Sequence, residues 1–467
     1  MIDFARLEFV QLQKSMEFLI FQIPGPKMHG ILGNVPDLMD KTTENLGEVL
    51  KFWANEQRGN GSRIMRVFLF GNLFVWPLDG EMTKVILENN EELDKGEDYR
   101  FFEPWIGKGL LLEPNIPRWK SHRKLIQPVF NFSKLPKYFE IFKKQTEILI
   151  DILHEKSSKS EFFDIFPHIK FCLLDIVADA ALGIQTNSQI RNFHEYIDAC
   201  EEFSRILIEF SFKPWLRNPI FYKFSGFEAK IEENLRVLKD FSMKFIKERR
   251  ADVEFHKDQE KCCFLDHLLD SPDLTDEEIR EEIDTLIFGG HDTTTSSVAF
   301  ALWNIAHNPD VQNHIYQEEL QENPLESRED FRALKYLDRV LKESKRLTPP
   351  IPFFQRKLRK SLKLLDQCEI PAGSTISIGP IILHSNPEVF KNPGIFDPDR
   401  FLPDEVSKRS AFDFVPFSAG IRNCVGQNFG LLNEKVIVAK ILKEFEVLPG
   451  EDYGFTVPCL EAKTTIL

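Results

Sequence analysis

Cysteine is scarce in this chain of 467 residues: there are seven, at 172, 200, 262, 263, 368, 424 and 459. They are scattered without a C-x-x-C pair, which argues against a disulfide framework or a zinc cluster and suggests a reducing compartment. Basic residues are outnumbered 59 to 73, giving a net charge of -14. That balance argues against general nucleic-acid binding, which needs a basic footprint. Long apolar runs are missing too. The longest early one is Phe18-Leu19-Ile20-Phe21, whereas a membrane span takes about 20 apolar residues. No signal-peptide pattern appears. Residues 1–22 carry Asp3, Arg6, Glu8, Lys14 and Glu17, so they form at most an amphipathic helix lying on a surface. Internal repeats, Gly/Ser linkers and low-complexity tracts are absent.

What the chain does have is phenylalanine, 43 of them within a 42% hydrophobic composition, ample material for one large, mainly helical unit. The segment Ile23-Pro24-Gly25-Pro26 marks the entry, because each proline holds the residue before it in an extended conformation. Two apolar runs, 63–70 and 73–76, surround Gly71-Asn72 and predict a β-hairpin. Within 99–137 an apolar wall leads into a basic helix, where Trp119 and Arg123, four apart, share a face and could donate to one anion. Taken alone, the pair reads more readily as a core anchor and a solvated cation. Aromatic residues crowd 201–227 (Phe203, Phe210, Phe212, Trp215, Phe221, Tyr222, Phe224, Phe227), either as ordinary core, as the wall of an apolar channel, or as a lip touching a membrane.

Two stretches carry chemistry. Thr275-Asp276-Glu277-Glu278 is a capping box that opens a helix of about 30 residues ending at Asn308-Pro309, far above the average of about 11 to 12. In its middle stand Gly289-Gly290-His291-Asp292-Thr293-Thr294. Each glycine costs roughly 1 kcal/mol against alanine; in return, the missing side chains open a gap for a flat ligand or dioxygen, flanked by an acid and a hydroxyl. His291 reads as a satisfied polar residue, since no second ligand at metal-site spacing accompanies it. The second stretch, Phe417-Ser418-Ala419-Gly420-Ile421-Arg422-Asn423-Cys424-Val425-Gly426, sets one cysteine in a loop ahead of an amphipathic helical pattern. A thiolate there gains from the helix N-terminus, and the glycines permit a tight turn and close approach of a flat ligand. Cys424 therefore reads as an axial ligand to haem iron. Five fixed residue types at roughly 5% each make a chance match on the order of 10⁻⁴. Upstream, Glu343-Ser344-Lys345-Arg346 and Asp399-Arg400-Phe401 supply two arginines and a glutamate that could brace an irregular loop. The segment 363–383 supplies strands after its Pro371-Ala372-Gly373 turn.

In this order, Pro24-Gly25-Pro26, Trp119 to Arg123, Gly289 to Thr294, Glu343 to Arg346, Pro398 to Phe401 and Phe417 to Gly426, the chain resembles the cytochrome P450 superfamily. His384 with Asn386-Pro387-Glu388-Val389-Phe390, and Phe414 to Gly420, look like the animal fatty-acid omega-hydroxylase branch, family 4. The resemblance implies a mainly α fold with a small β portion, with residues 24–467 as the haem-thiolate domain and 1–23 as an N-terminal segment. It implies a haem b monooxygenase with Cys424 as the thiolate ligand favouring O–O cleavage. Trp119, Arg123, Arg422 and Arg356 would hold the haem propionates. Gly289, Gly290, Phe417 and Gly426 would shape the pocket, Asp292 and Thr293 would pass protons to dioxygen, and Glu343, Arg346 and Arg400 would be structural.

Fatty acids or related lipids are the expected substrates, with xenobiotics or hormones as the alternative. Electrons would come from NADPH through a flavoprotein reductase, with cytochrome b5 as a further partner, at the cytoplasmic face of the endoplasmic reticulum membrane. The basic run Arg118, Lys120, His122, Arg123, Lys124, Lys134 and Lys137 would steer an acidic reductase or form a solvated face. A reductase-independent isomerase or dehydratase and a non-catalytic haem sensor are the remaining alternatives. Departures are specific. Where many animal members carry a glutamate that becomes ester-linked to haem, this chain has Gly289, so the haem is expected to be non-covalent. Ile421 replaces the usual proline, Lys345 a commonly apolar residue and Ser385 a common arginine. The usual N-terminal membrane helix is also missing.

Overall fold

The capping box at Thr275 begins the longest element. In the computed structural model, Thr275 Oγ1 accepts the backbone N–H of Glu278 and the Glu278 carboxylate accepts that of Thr275, opening the helix Asp276–Ala306 of 31 residues. The next helix, Pro309–Ile315, starts at the proline that stops this one. The structure describes residues 23–39, 43–69, 72–131, 134–158, 163–191, 194–212, 219–255, 263–365, 369–450 and 465–466. Residues 1–22, the turn residues 70–71, residues 213–218 with Trp215, and Cys262, Cys368 and Cys459 fall outside them, as do the side chains of Phe210, Phe212 and Phe221.

The chain divides into two compact units. In one, the described residues from 23 to 97 join Lys345–Cys424. Its heart is a four-stranded sheet. The predicted hairpin forms from Ile64–Leu69 and Asn72–Pro77, antiparallel with Leu69 opposite Asn72. Strand Thr375–Ile378 lies parallel to the second hairpin strand, with Phe74 opposite Thr375, and Phe354–Lys357 closes the edge antiparallel to it, with Arg356 opposite Ile376. β-branched side chains suit this pleated, half-buried surface. Val75, Ile376 and Ile378 are fully buried, together with Met82, Ile86 and Leu87 of the helix Gly80–Leu87 and with Val415. Each such side chain stabilises the fold by roughly 1.5–3 kcal/mol.

The other unit takes in Asp98–Ser344 and, of the described residues after it, 425–450 and 465–466. It is helical: Ile116–Ile126, Leu135–Ser157, Phe166–Leu182, His194–Phe212, Phe227–Phe255, Asp276–Ala306 and Gln427–Glu444 are its main elements. The 166–182 helix is buried nearly all round, as a core helix must be when neighbours cover every face. Phe166 packs with Ala299 and Phe300 of the long helix, and small residues on that helix (Ala299, Ala301, Ala306) let its neighbours approach closely. Among the described residues, no helix is long and apolar enough to cross a membrane.

Candidate functional site

In the first unit the cysteine loop is held by its own backbone. The Cys424 N–H donates to the Phe417 carbonyl at 3.0 Å, Ser418 N–H to the Val415 carbonyl at 3.1 Å, and Asn423 N–H to the Gly420 carbonyl at 3.2 Å. Ser418 and Gly420 both lie in the left-handed region, at φ 59° and 71°. At Gly420 the turn requires glycine, because a Cβ would stand 1.9 Å from the Leu87 carbonyl oxygen. Of the described cysteines, Cys172, Cys200 and Cys263 are buried and Cys424 is exposed. A cysteine is normally among the most buried residues, so this exposure is what a ligand position looks like. The helix Gln427–Glu444 begins three residues on, with Gly426 at its N-cap.

Support for the loop comes from a residue the sequence reading used only as a family marker. His384, fully buried, accepts the Val415 N–H on Nε2 at 3.0 Å. That bond requires an unprotonated nitrogen, and burial, reinforced by Arg346, pushes the imidazole down to about 3. Arg346 in turn donates to the carbonyls of His384 (2.9 Å) and Ile395 (3.2 Å) and lies over the Phe390 ring. Arg400 donates to the Asn392 carbonyl at 3.1 Å. The two arginines therefore secure the irregular stretch 384–400 through its backbone oxygens.

Beside the loop the first unit gathers cations. Arg422 is 8% and Arg356 is 3% exposed. Lys95 joins them: burial, then Arg356 and Arg422, push its ammonium well below the usual lysine range, while Cys424 opposes the shift. The segment bearing Lys95 is pinned to the 354–357 strand, with Lys357 N–H donating to the Asp94 carbonyl at 3.0 Å and the Arg359 guanidinium paired with the Asp94 carboxylate. Sequence reading missed Lys95, which no periodicity marks. Two arginines and a lysine whose charge they disfavour, near a cysteine, fit a group that brings carboxylates with it.

The second unit supplies the acid and the alcohol. Thr293 Oγ1 donates to the Gly289 carbonyl at 2.7 Å. Thr285, Thr295 and Ser296 bond back to carbonyls four residues earlier in the same way, an arrangement that tends to bend helices. A Cβ added at Gly289 would meet nothing within 4 Å, while one at Gly290 would press on Val177 at 3.2 Å. Packing thus explains the second glycine and leaves the first facing open space. Asp292 is largely buried; desolvation raises its carboxyl to about 6, against the pull of Lys170, whose Nζ lies 4.0 Å away. His291 is buried, meets the Lys170 carbonyl through Nε2 at 3.1 Å, and is driven to about 3 by burial. Phe288, next to the gap, touches the rings of Phe102 and Trp105, and Trp105 touches Phe203, at centroid distances of 5.2, 5.2 and 5.6 Å. This aromatic wall includes one member, Phe203, of the crowded 201–227 stretch.

Trp119 (3% exposed) and the half-buried Arg123 share the helix Ile116–Ile126, as their spacing predicts. The basic run around them needs correcting. Arg118 pairs with Glu278 at 2.8 Å and Glu113 at 3.2 Å, and the buried His122 lies 2.5 Å from Glu282. Both turn inward because buried carboxylates on neighbouring segments demand partners. Lys120, Lys124, Lys134 and Lys137 remain exposed.

Comparison with known proteins identifies the family. A family model described as cytochrome P450 matches residues 23–456. The chain is 35% identical over 465 residues to a probable cytochrome P450 4s3 of Drosophila melanogaster, covering 96% of this chain and 90% of the relative. It is 34% identical to cytochrome P450 4d2 of the same fly, over 91% and 89% of the two chains. Against human cytochrome P450 4V2 it is 34% identical over 79% and 73%.

Proposed function

The chain belongs to the cytochrome P450 family, as a haem monooxygenase of the family 4 kind, and from that premise we propose how its own residues divide the work and what they act on. Cys424 would hold the haem iron through its thiolate. Arg422, Arg356 and Lys95 would meet the haem carboxylates through charge-assisted hydrogen bonds, the role that the resemblance gives to Trp119 and Arg123 as well. When bound, the haem activates dioxygen and inserts one of its atoms into the substrate. Phe417 and Gly426 flank the cysteine, and Gly289 keeps a side chain out of the reacting space, whereas Gly290, whose Cβ would press on Val177, is kept by packing.

Asp292 takes a proton from the solvent side and passes it inward. Its carboxyl, raised to about 6, carries a proton in part of the population near neutral pH, as a proton donor must. Thr293 accepts at its hydroxyl oxygen while its own proton is tied to Gly289, so it orients the transfer instead of supplying the charge. The observation that carries this reading is the acid–alcohol pair beside a glycine whose missing side chain nothing in the protein fills.

The substrate class is a fatty acid or related lipid, supported by the resemblance to the omega-hydroxylase branch and by the wall of Phe102, Trp105, Phe203 and Phe288. Electrons arrive from NADPH through a flavoprotein reductase at the cytoplasmic face of the endoplasmic reticulum membrane. The test begins with the reduced carbon-monoxide difference spectrum of the purified protein, which should show the long-wavelength Soret band of thiolate ligation and lose it in Cys424→Ser. Reductase-supported turnover of saturated fatty acids should then yield hydroxylated products. Thr293→Ala should keep NADPH and oxygen consumption while losing most of the product. An unchanged ratio of product to NADPH in that variant would overturn the assignment of Thr293.

A further inference from the structure

A second carboxylate and a buried ammonium stand beside Asp292, and the mechanism above uses neither. Lys170 sits on the helix Phe166–Leu182 with its side chain 2% exposed, in a run (Ile169 to Leu174) that is otherwise apolar. Its Nζ lies 2.6 Å from Glu201 Oε1, on the helix His194–Phe212, and 4.0 Å from Asp292 Oδ1. The rest of the residue is fixed: its carbonyl meets the His291 ring at 3.1 Å, and the ammonium sits 5.6 Å from the centre of the Phe166 ring. Glu201 is the outward member at 46% exposure, against 20% for Asp292. One cation is therefore shared unequally between two carboxylates, hydrogen-bonded to the solvent-facing one and only within Coulomb range of the other.

We propose that Glu201 and Lys170 are positioning residues for Asp292: by holding the Lys170 ammonium to itself, Glu201 keeps the cation from clamping Asp292 as a carboxylate and leaves that acid able to carry a proton near neutral pH. The proposal rests on the reading of Asp292 as the proton-passing acid. Among the forces on Asp292, burial raises its titration, Lys170 lowers it and Glu201 raises it. The remaining titratable groups nearby contribute little charge. Cys200 and Tyr196, on the Glu201 helix, are held protonated by burial; His291 is neutral; and Asp284, two turns earlier on the long helix, is neutralised by Arg280. Lys170 and Glu201 are thus the two charges through which the protein adjusts Asp292.

The two residues predict shifts of opposite sign. In Glu201→Gln the ammonium loses its nearer carboxylate and turns to Asp292, so the acid should titrate about one unit lower. In Lys170→Met the cation is gone and Asp292 should titrate about one unit higher. The measurement is an infrared difference titration of the protonated carboxyl band in the purified haem-loaded protein, the band being assigned by its loss in Asp292→Asn. Glu201 is partly exposed, so its variant should fold even if Lys170→Met does not. Shifts in these two directions support the proposal; an unmoved midpoint in Glu201→Gln, or a rise, overturns it. The ratio of product to NADPH with lauric acid as probe separates the two levels of the argument. If Asp292→Asn leaves that ratio intact while the titration shifts appear, the proton-passing role fails and the electrostatic arrangement stands. If Asp292→Asn collapses the ratio but the midpoints do not move, the role stands and the present proposal fails.

Discussion

Gly420 and Gly289 are both glycines in the motifs, yet the structure constrains them by opposite means. At Gly420 the backbone sits at φ 71° and a Cβ would lie 1.9 Å from the Leu87 carbonyl oxygen. Gly420→Ala should therefore cost about 3 kcal/mol, read as a lower urea midpoint and a smaller yield of the thiolate band. At Gly289 the protein offers no contact within 4 Å and a helical backbone. Gly289→Ala should stabilise the haem-free protein by about 1 kcal/mol through helix propensity. In the haem-loaded protein the same methyl group should lower haem retention; equal gains in both forms would mean that the glycine is not kept for the cofactor. Gly289 also carries no carboxyl group. Acid and organic solvent should accordingly strip all haem from the denatured chain, and mass spectrometry finding haem still attached would contradict a non-covalent site.

The element that most needs its neighbours is the helix Ile116–Ile126. His122 lies 2.5 Å from Glu282 on the long helix, and the other oxygen of Glu282 accepts the Leu110 N–H at 3.0 Å, so one buried carboxylate ties both the helix and the loop before it. The Glu282 hydrogen bond raises the His122 pKa above 6.5, against the opposing effect of burial. A raised imidazole contributes stability that is fully present below about pH 6.5 and is lost as pH climbs through the folded-state value. The stability difference between the wild type and His122→Gln should thus be largest in mild acid and shrink toward pH 8; a difference that grows with pH would refute the tie. Leucine at this position should be worse, by about 3 kcal/mol, because it strands a buried charge. None of this was legible beforehand. The helix was, since its pattern is local, but the basic run looked like one surface, and only the packing reveals that Arg118 and His122 turn inward while Lys120 and Lys124 do not.

For the molecule as a whole, what was legible followed sequence distance. The long helix could be bounded to within a few residues because Thr275, Glu278 and Pro309 are chemical stop signs, and the cysteine loop because its residue types are so restricted. The parallel pairing of Phe74 with Thr375, the His384 bond to Val415 and the Lys95 cation cluster join residues far apart in sequence, and hydrophobic periodicity holds no information about such partners. Net charge is the remaining global property, and it sets a problem. A chain of net charge -14 would repel the acidic flavoprotein proposed above as its electron donor at long range, so productive approach would need a local field of the opposite sign. The exposed Lys120, Lys124, Lys134 and Lys137 are the available source. Because these groups face solvent, salt screens them over a Debye length of about 8 Å at physiological ionic strength, and their effect belongs in the association rate more than in the affinity. Lys120→Glu with Lys124→Glu should lower reductase-supported turnover several-fold at low salt and flatten its decline as salt is added. The carbon-monoxide spectrum and the peroxide-supported rate should stay as in the wild type, since neither requires the reductase. Stopped-flow reduction of the iron by reductase, followed against ionic strength, reads this directly, and kinetics unchanged by the double reversal would leave these lysines a merely solvated face.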